Sequence, residues 1–219
     1  MEIRKLSPRC IRFSLKPLNR WDLYSYLLIG DKNIYVIDTG CGQNDAKYIK
    51  DYIKKEKIGK PIIIINTHYH WDHIWGNAYF NSKFIISSEE CYKMINNNWD
   101  GMLKRNLEYV NGKTEKCLPN VTFSDKLSIK DDNLELVYLT GHTLDGICIY
   151  DKVDKFLYVG DNIGDDEEYI IPQLESTKEE YLCSLQKMME FDCQYVLSGH
   201  NDIQNKKFIQ NIIDLITSK

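Results

Sequence analysis

The chain lacks the features that would place it in several large functional classes. No C-x-x-C pair occurs, and the seven cysteines (Cys10, Cys41, Cys91, Cys117, Cys148, Cys183, Cys193) are scattered and odd in number. That excludes a disulfide framework as the organising element and points to reduced thiols. Basic charge is not in excess. At a net charge of -4 the chain has no electrostatic footprint for nucleic acid and no pull toward an anionic membrane. No apolar run approaches the ~20 residues of a membrane span. The first ten residues hold Glu2, Arg4, Lys5 and Arg9 in place of a signal-peptide core, so the expected location is cytoplasmic. No internal repeat, long linker or low-complexity tract interrupts the 219 residues, and a single domain over residues 1–219 is expected.

Histidine is also scarce, yet three of the five fall in Thr67-His68-Tyr69-His70-Trp71-Asp72-His73, directly after the four isoleucines Ile62 to Ile65. A buried strand therefore ends where four metal-ligating side chains begin. In extended backbone His68 and His70 point the same way, because side-chain direction repeats every two residues. Asp72 and His73 follow as the chain turns into a short helix. Imidazole and carboxylate donors suit zinc, and they also suit iron or manganese.

The remaining histidines fall at strand ends too. His142 follows the strand Leu134 to Thr140, and His200 follows Tyr195 to Ser198. Asp161 follows Lys155 to Gly160. Each has a glycine beside it. Donors at several strand tips are how mixed α/β folds assemble a site.

Around these points the pattern alternates strands and helices. Strands are expected at Ile11 to Lys16, Leu23 to Gly30 and Asn33 to Asp38, with a hairpin turn over Gly30 to Asn33. A helix is expected over Asn44 to Lys57, ended by Gly59-Lys60-Pro61. The strand Lys83 to Ser87 leads into a short helix from Ser88 to Ile95. The polar, Asn-rich stretch from Asn96 to Pro119 reads as a loop, a lid or a surface insertion, with Trp99 and Tyr109 embedded. Further strands are expected at Lys126 to Lys130 and Gly146 to Tyr150, and helices at Lys178 to Phe191 and Gln204 to Ser218. Strand runs mixed with helices imply two sheets with helices covering their outer faces.

Taken together, the Thr67 to His73 segment resembles the H-x-H-x-D-H signature of the metallo-β-lactamase superfamily. Ile37-Asp38-Thr39-Gly40, Gly141-His142-Thr143, Gly160-Asp161 and Ser198-Gly199-His200 resemble its other motifs, in order. The resemblance implies a four-layer αβ/βα sandwich with two mixed sheets and two divalent metal ions, zinc first among them. His68, His70 and His142 would hold one ion, and Asp72, His73 and His200 the other, with Asp161 shared. Asp38 would support the ligands without binding metal; a turn or N-cap role before the Asn44 helix is its plainer reading. The activity implied is hydrolysis of a small ester, thioester or lactone by a metal-bridging hydroxide, with Asp72 orienting it or taking a proton.

Several branches of that family fit less well. The nucleases are longer and more basic. The exported β-lactamases lack an acidic residue at the Asp161 position. The signal lactonases carry a tyrosine where Gly164 stands, and the flavin-linked di-iron proteins a glutamate where His70 stands. Leu144, Asp145 and Gly146 depart from the usual G-H-T-P-G-S third motif, and glyoxalase II's basic C-terminal domain has no counterpart. A stand-alone, glyoxalase-II-like hydrolase remains. An iron-dependent oxidoreductase resembling the persulfide dioxygenases, and a metal-loaded sensor without catalysis, stay open as alternatives. The expected partner is a small-molecule substrate, with no nucleic acid or membrane; association into an oligomer is compatible with the sequence. The acidic run Asp165-Asp166-Glu167-Glu168 reads either as a repellent for polyanions or as a solvated loop. Trp71, Trp75, Trp99 and Tyr109 are candidates for an apolar substrate wall or for core.

Overall fold

A computed structural model of the chain describes residues 2–166 and 168–218; Glu167 of the acidic run lies outside them. Contacts divide it into two compact units, one ending at Phe123 and one beginning at Ser124.

The first unit is built on seven strands: β1 (Glu2–Lys5), β2 (Cys10–Ser14), β3 (Tyr24–Ile29), β4 (Ile34–Ile37), β5 (Ile62–Ile65), β6 (Phe84–Ser88) and β7 (Val121–Phe123). They lie side by side in chain order. Pairing is antiparallel from β1 to β4 and parallel from β4 to β7. The helices are α1 (Gln43–Lys55), the single turn α2 (Trp71–Ile74) and α3 (Glu89–Arg105). Ala46, Ile49 and Ile53 of α1 pack against Phe13, Val36 and Ile64. Each such fully buried aliphatic side chain stabilises the fold by roughly 1.5–3 kcal/mol.

Helix α3 runs ten residues beyond the Ile95 end expected from sequence. The reason is its stripe of Cys91, Ile95, Trp99 and Met102, spaced by three or four residues, which buries against Ile74 and Trp75. The intervening asparagines only face outward. Trp99 is therefore core, as is the fully buried Trp75.

Only the end of the Asn-rich stretch is irregular, and it is fastened down. Helix α1 has no side-chain N-cap. Its first N–H groups, at Gln43 and Asn44, donate instead to the carbonyls of Lys113 (2.8 Å) and Asn111 (3.0 Å). Those carbonyls stand where a Cβ at residue 42 would lie, 2.8 Å from both, and φ there is +149°, so the position takes glycine. Asp45 completes the fastening: its carboxylate accepts from the Cys41 N–H and from Asn111 Nδ2, each at 2.8 Å.

The second unit carries β8 (Lys126–Ile129), β9 (Leu134–Tyr138), β10 (Ile147–Asp151), β11 (Phe156–Gly160) and β12 (Tyr195–Ser198), with α4 (Lys178–Glu190) and α5 (Lys206–Thr217). The sheet order is β12-β11-β10-β9-β8. Strand β10 is antiparallel to both its neighbours and β12 is parallel to β11. Strands β9, β11 and β12 therefore run the same way, and their C-terminal ends share one edge. Tyr181, Leu185 and Met188 of α4 and Phe208, Ile209 and Ile212 of α5 form the core with Leu157, Val159 and Val196. Among the described residues no helix is long and apolar enough to cross a membrane.

Burial raises the Asp45 carboxyl from 3.8 to about 6, against the two hydrogen bonds that lower it. A carboxyl raised on folding favours the folded state below its unfolded value and loses that contribution as pH climbs through the folded one. Between pH ~4 and ~6, wild type is expected to lose unfolding free energy relative to Asp45→Asn, read from denaturant titrations of both.

Candidate metal site

Each unit brings its candidate donors, and in the first unit the carboxylate that supports them, to the C-terminal ends of strands that run in one direction. In the first unit Asp38 follows β4 and the segment from Asn66 to His73 follows β5. In the second, His142, Asp161 and His200 lie just beyond β9, β11 and β12.

Asp38 organises the first set. It is 3% exposed and sits at φ +57°, a left-handed conformation that aspartate tolerates better than most residues. Its N–H donates to the Ile65 carbonyl (2.9 Å), continuing the β4–β5 ladder. Its Oδ1 accepts from the Thr67 N–H (2.8 Å), and its Oδ2 accepts from Thr67 Oγ1 (2.7 Å) and His73 Nδ1 (2.8 Å). It does not cap α1.

Those bonds fix two imidazole tautomers. His73 places a proton on Nδ1 toward the carboxylate, so that in its neutral form the Nε2 lone pair is the donor. The single hydroxyl proton of Thr67 is committed to Asp38, so Thr67 Oγ1 accepts from His68 Nδ1 at 3.0 Å. His68 therefore also presents Nε2 as a base. One carboxylate sets both rings, His73 directly and His68 through a hydroxyl. His68 and His70 offer ligand atoms within 4.8 Å of each other, as do Asp72 and His73. His73 Nε2 lies 3.8 Å from Asp72 Oδ1.

The second set follows the same logic. His142 Nδ1 faces the Gln173 carbonyl at 2.8 Å; a carbonyl only accepts, so Nδ1 carries the proton and Nε2 is the lone pair. That lone pair stands 3.7 Å from Asp161 Oδ2, and His200 Nε2 stands 3.2 Å from the same oxygen. The His142 backbone N–H donates to Asn162 Oδ1 (3.1 Å), and the Asn162 carbonyl accepts from the Tyr181 hydroxyl (2.8 Å).

This donor set fits a divalent cation. Two electron-pair donors, the His142 nitrogen and the Asp161 oxygen, face each other, and so do those of His73 and Asp72. Such pairs repel unless a second proton or a cation lies between them. Neutral imidazoles with Nδ1 engaged are the form in which histidine binds metal.

Sequence reasoning gave Thr67, Asn162 and Gln173 no role. Thr67 and Asn162 were findable, as polar residues directly beside predicted ligands. Gln173 acts through its backbone, which leaves no trace in side-chain chemistry. Trp71 stacks on Tyr109, with centroids 5.0 Å apart and planes 20° apart, and Trp21 meets both edge-on; the three rings are half-buried, and Trp71 lies between His70 and Asp72 in sequence.

The family model described as the metallo-beta-lactamase superfamily matches residues 19–200. The chain belongs to that superfamily. A type 2 metallo-beta-lactamase of Elizabethkingia meningoseptica is 30% identical over 202 residues, 87% of this chain and 73% of the relative. An acyl-coenzyme A thioesterase, MBLAC2 of Gallus gallus, is 25% identical over 201 residues, 80% of this chain and 71% of the relative. The crystal structure of DIM-1 metallo-beta-lactamase superposes with a TM-score of 0.76 at 18% identity, covering 99% of this chain and 97% of that one. The metallo-β-lactamase fold with two mixed sheets, expected from the sequence, is the fold observed. As a superfamily member the chain is a hydrolase carrying His/Asp donors for divalent metal.

Asp38→Asn, which removes one acceptor oxygen, and Thr67→Val, which cuts the link to His68, are each expected to weaken metal binding by about 10–100-fold. Competition against a chromophoric chelator measures this. Unchanged affinity in both variants would remove Asp38 from ligand support.

Proposed function

We propose that this superfamily member is a dinuclear metal-dependent hydrolase, with zinc as the favoured ion, acting in the cytoplasm on a small ester, thioester or lactone. In this reading residues 1–219 work as one domain. His68, His70 and His142 would hold the first ion and Asp72, His73 and His200 the second, with Asp161 shared. The observation that carries the reading is the locking of His68, His73 and His142 by their Nδ1 bonds, which leaves each with a basic Nε2. The family match, which runs from residue 19 to residue 200 and so includes every proposed ligand, supports combining the two sets.

Divalent ions bound there supply a water of lowered pKa and a polarised carbonyl oxygen. The chain's residues do the rest. Asp38 and Thr67 orient the imidazoles by holding their Nδ1 atoms. Asp72 orients the attacking water and accepts its proton on a carboxylate oxygen. The Trp21, Trp71 and Tyr109 rings provide an apolar surface for the acyl group. Similarity to a thioesterase, and to a hydroxyacylglutathione hydrolase of Pelagibacter ubique (27% identical over 146 residues, 65% of this chain and 52% of the relative), favours a thioester within that substrate class.

Protein purified without added metal is expected to carry about two zinc ions per chain and to turn over a thioester or lactone in a panel that includes phosphodiesters and β-lactams. One iron with oxygen uptake would replace this reading with an oxidoreductase, and metal without any turnover would favour a sensor. His70→Ala is expected to lose both metal loading and turnover; full activity in that variant overturns the ligand assignment.

A further inference from the structure

The sheet of the first unit is open at its β1 edge. All four residues of β1, Glu2 to Lys5, are exposed, Ile3 at 39%. Strand β2 covers one side, with Glu2 opposite Ser14, Ile3 opposite Phe13, Arg4 opposite Arg12 and Lys5 opposite Ile11. Among the described residues no strand lies on the other side.

The ladder decides which backbone groups face that open side. In an antiparallel pair, residues that exchange hydrogen bonds alternate with residues that do not. The Leu6 N–H donates to the Cys10 carbonyl (2.9 Å), and this pair continues the register of β1 on β2. Glu2 and Arg4 therefore also bond to β2, while Ile3 and Lys5 turn their N–H and C=O groups outward. The far side of β2 agrees. The Ile29 N–H donates to the Arg9 carbonyl (2.8 Å) and the Leu15 N–H to that of Leu23 (2.9 Å), so the odd-numbered residues of β2 serve β3 and leave Cys10, Arg12 and Ser14 for β1.

An open edge invites a further strand, and charges on it restrict which strand can pair. Three two-fold antiparallel registers bring the outward residues, Ile3 and Lys5, of two copies together. One sets Lys5 against Lys5 on the axis and another sets Arg4 against Arg4, each a like-charge contact. The third sets Ile3 against Ile3 and places Glu2 of each copy opposite Arg4 of the other. Ile3 shares its face of the sheet with Phe13, whose ring meets Tyr48 (5.9 Å) and Tyr52 (5.4 Å) of α1, so the axial contact extends an apolar layer. We propose that β1 is a self-pairing edge through which two copies of this chain form a reversible two-fold dimer in this third register. The interface is isologous, so each attraction occurs twice. Strands β4 and β5, which lead into the first donors, lie inside the sheet and away from the seam.

Sedimentation velocity of the full chain at rising concentration reads the association. Wild type is expected to shift from monomer to dimer. Ile3→Pro is expected to keep its fold, by circular dichroism, and to lose the dimer, because the N–H it removes points away from β2. Glu2→Arg and Arg4→Glu each replace two attractions with two repulsions and are each expected to weaken the dimer about tenfold. Mixing these two variants sets Arg opposite Glu on both sides of the axis and is expected to restore wild-type affinity in the heterodimer. Wild type that stays monomeric at every concentration overturns the proposal. So does a dimer that survives Ile3→Pro, that ignores the charge reversals, or that fails to return on mixing.

Discussion

The first set of metal donors depends on one buried carboxylate. Asp38 accepts three hydrogen bonds, and each does a separate task. The Thr67 N–H bond sets the path of the chain as it leaves β5. The His73 bond fixes one tautomer, and the Thr67 hydroxyl bond passes the same constraint to His68. A buried carboxylate is costly unless its oxygens are satisfied; here the groups that satisfy it are those that must be oriented. The second unit reaches the same end by a different route, with a backbone carbonyl in place of a carboxylate.

The site was legible in the sequence to the extent that its chemistry resides in side-chain type and spacing. A run of isoleucines marks a buried strand, and histidines spaced by two at its end mark convergent donors. Strands β2 to β5 were readable from short apolar runs bounded by turn residues. Strand β1 was not, because all four of its residues are exposed and give no apolar signal. The second half of α3 was hidden by its asparagines, although Trp99 and Met102 continue the stripe begun at Cys91. The left-handed backbone at Asp38 is also beyond sequence reasoning, since a favourable bonding network, not local propensity, holds it there.

The acidic loop after Asp161 shows a different kind of limit. Four acidic residues in a row look alike as charge. Only three-dimensional placement shows that Asp166 is spent on its own turn, where its Oδ1 accepts from the Glu168 and Tyr169 N–H groups.

The strand order of the first unit bears on how the chain comes to be folded. Because β1 to β7 lie in chain order, every strand pairs with its immediate predecessor and no later segment must be threaded between earlier ones. The antiparallel closures from β1 to β4 span short stretches of chain and cost little loop entropy, while the parallel ones close over longer, partly helical connections. The sheet can grow from its N-terminal edge as the polypeptide emerges. The turn bearing His68 to His73 is then bounded by β4 and β5 on one side and β6 on the other before the C-terminal half of the chain has been made.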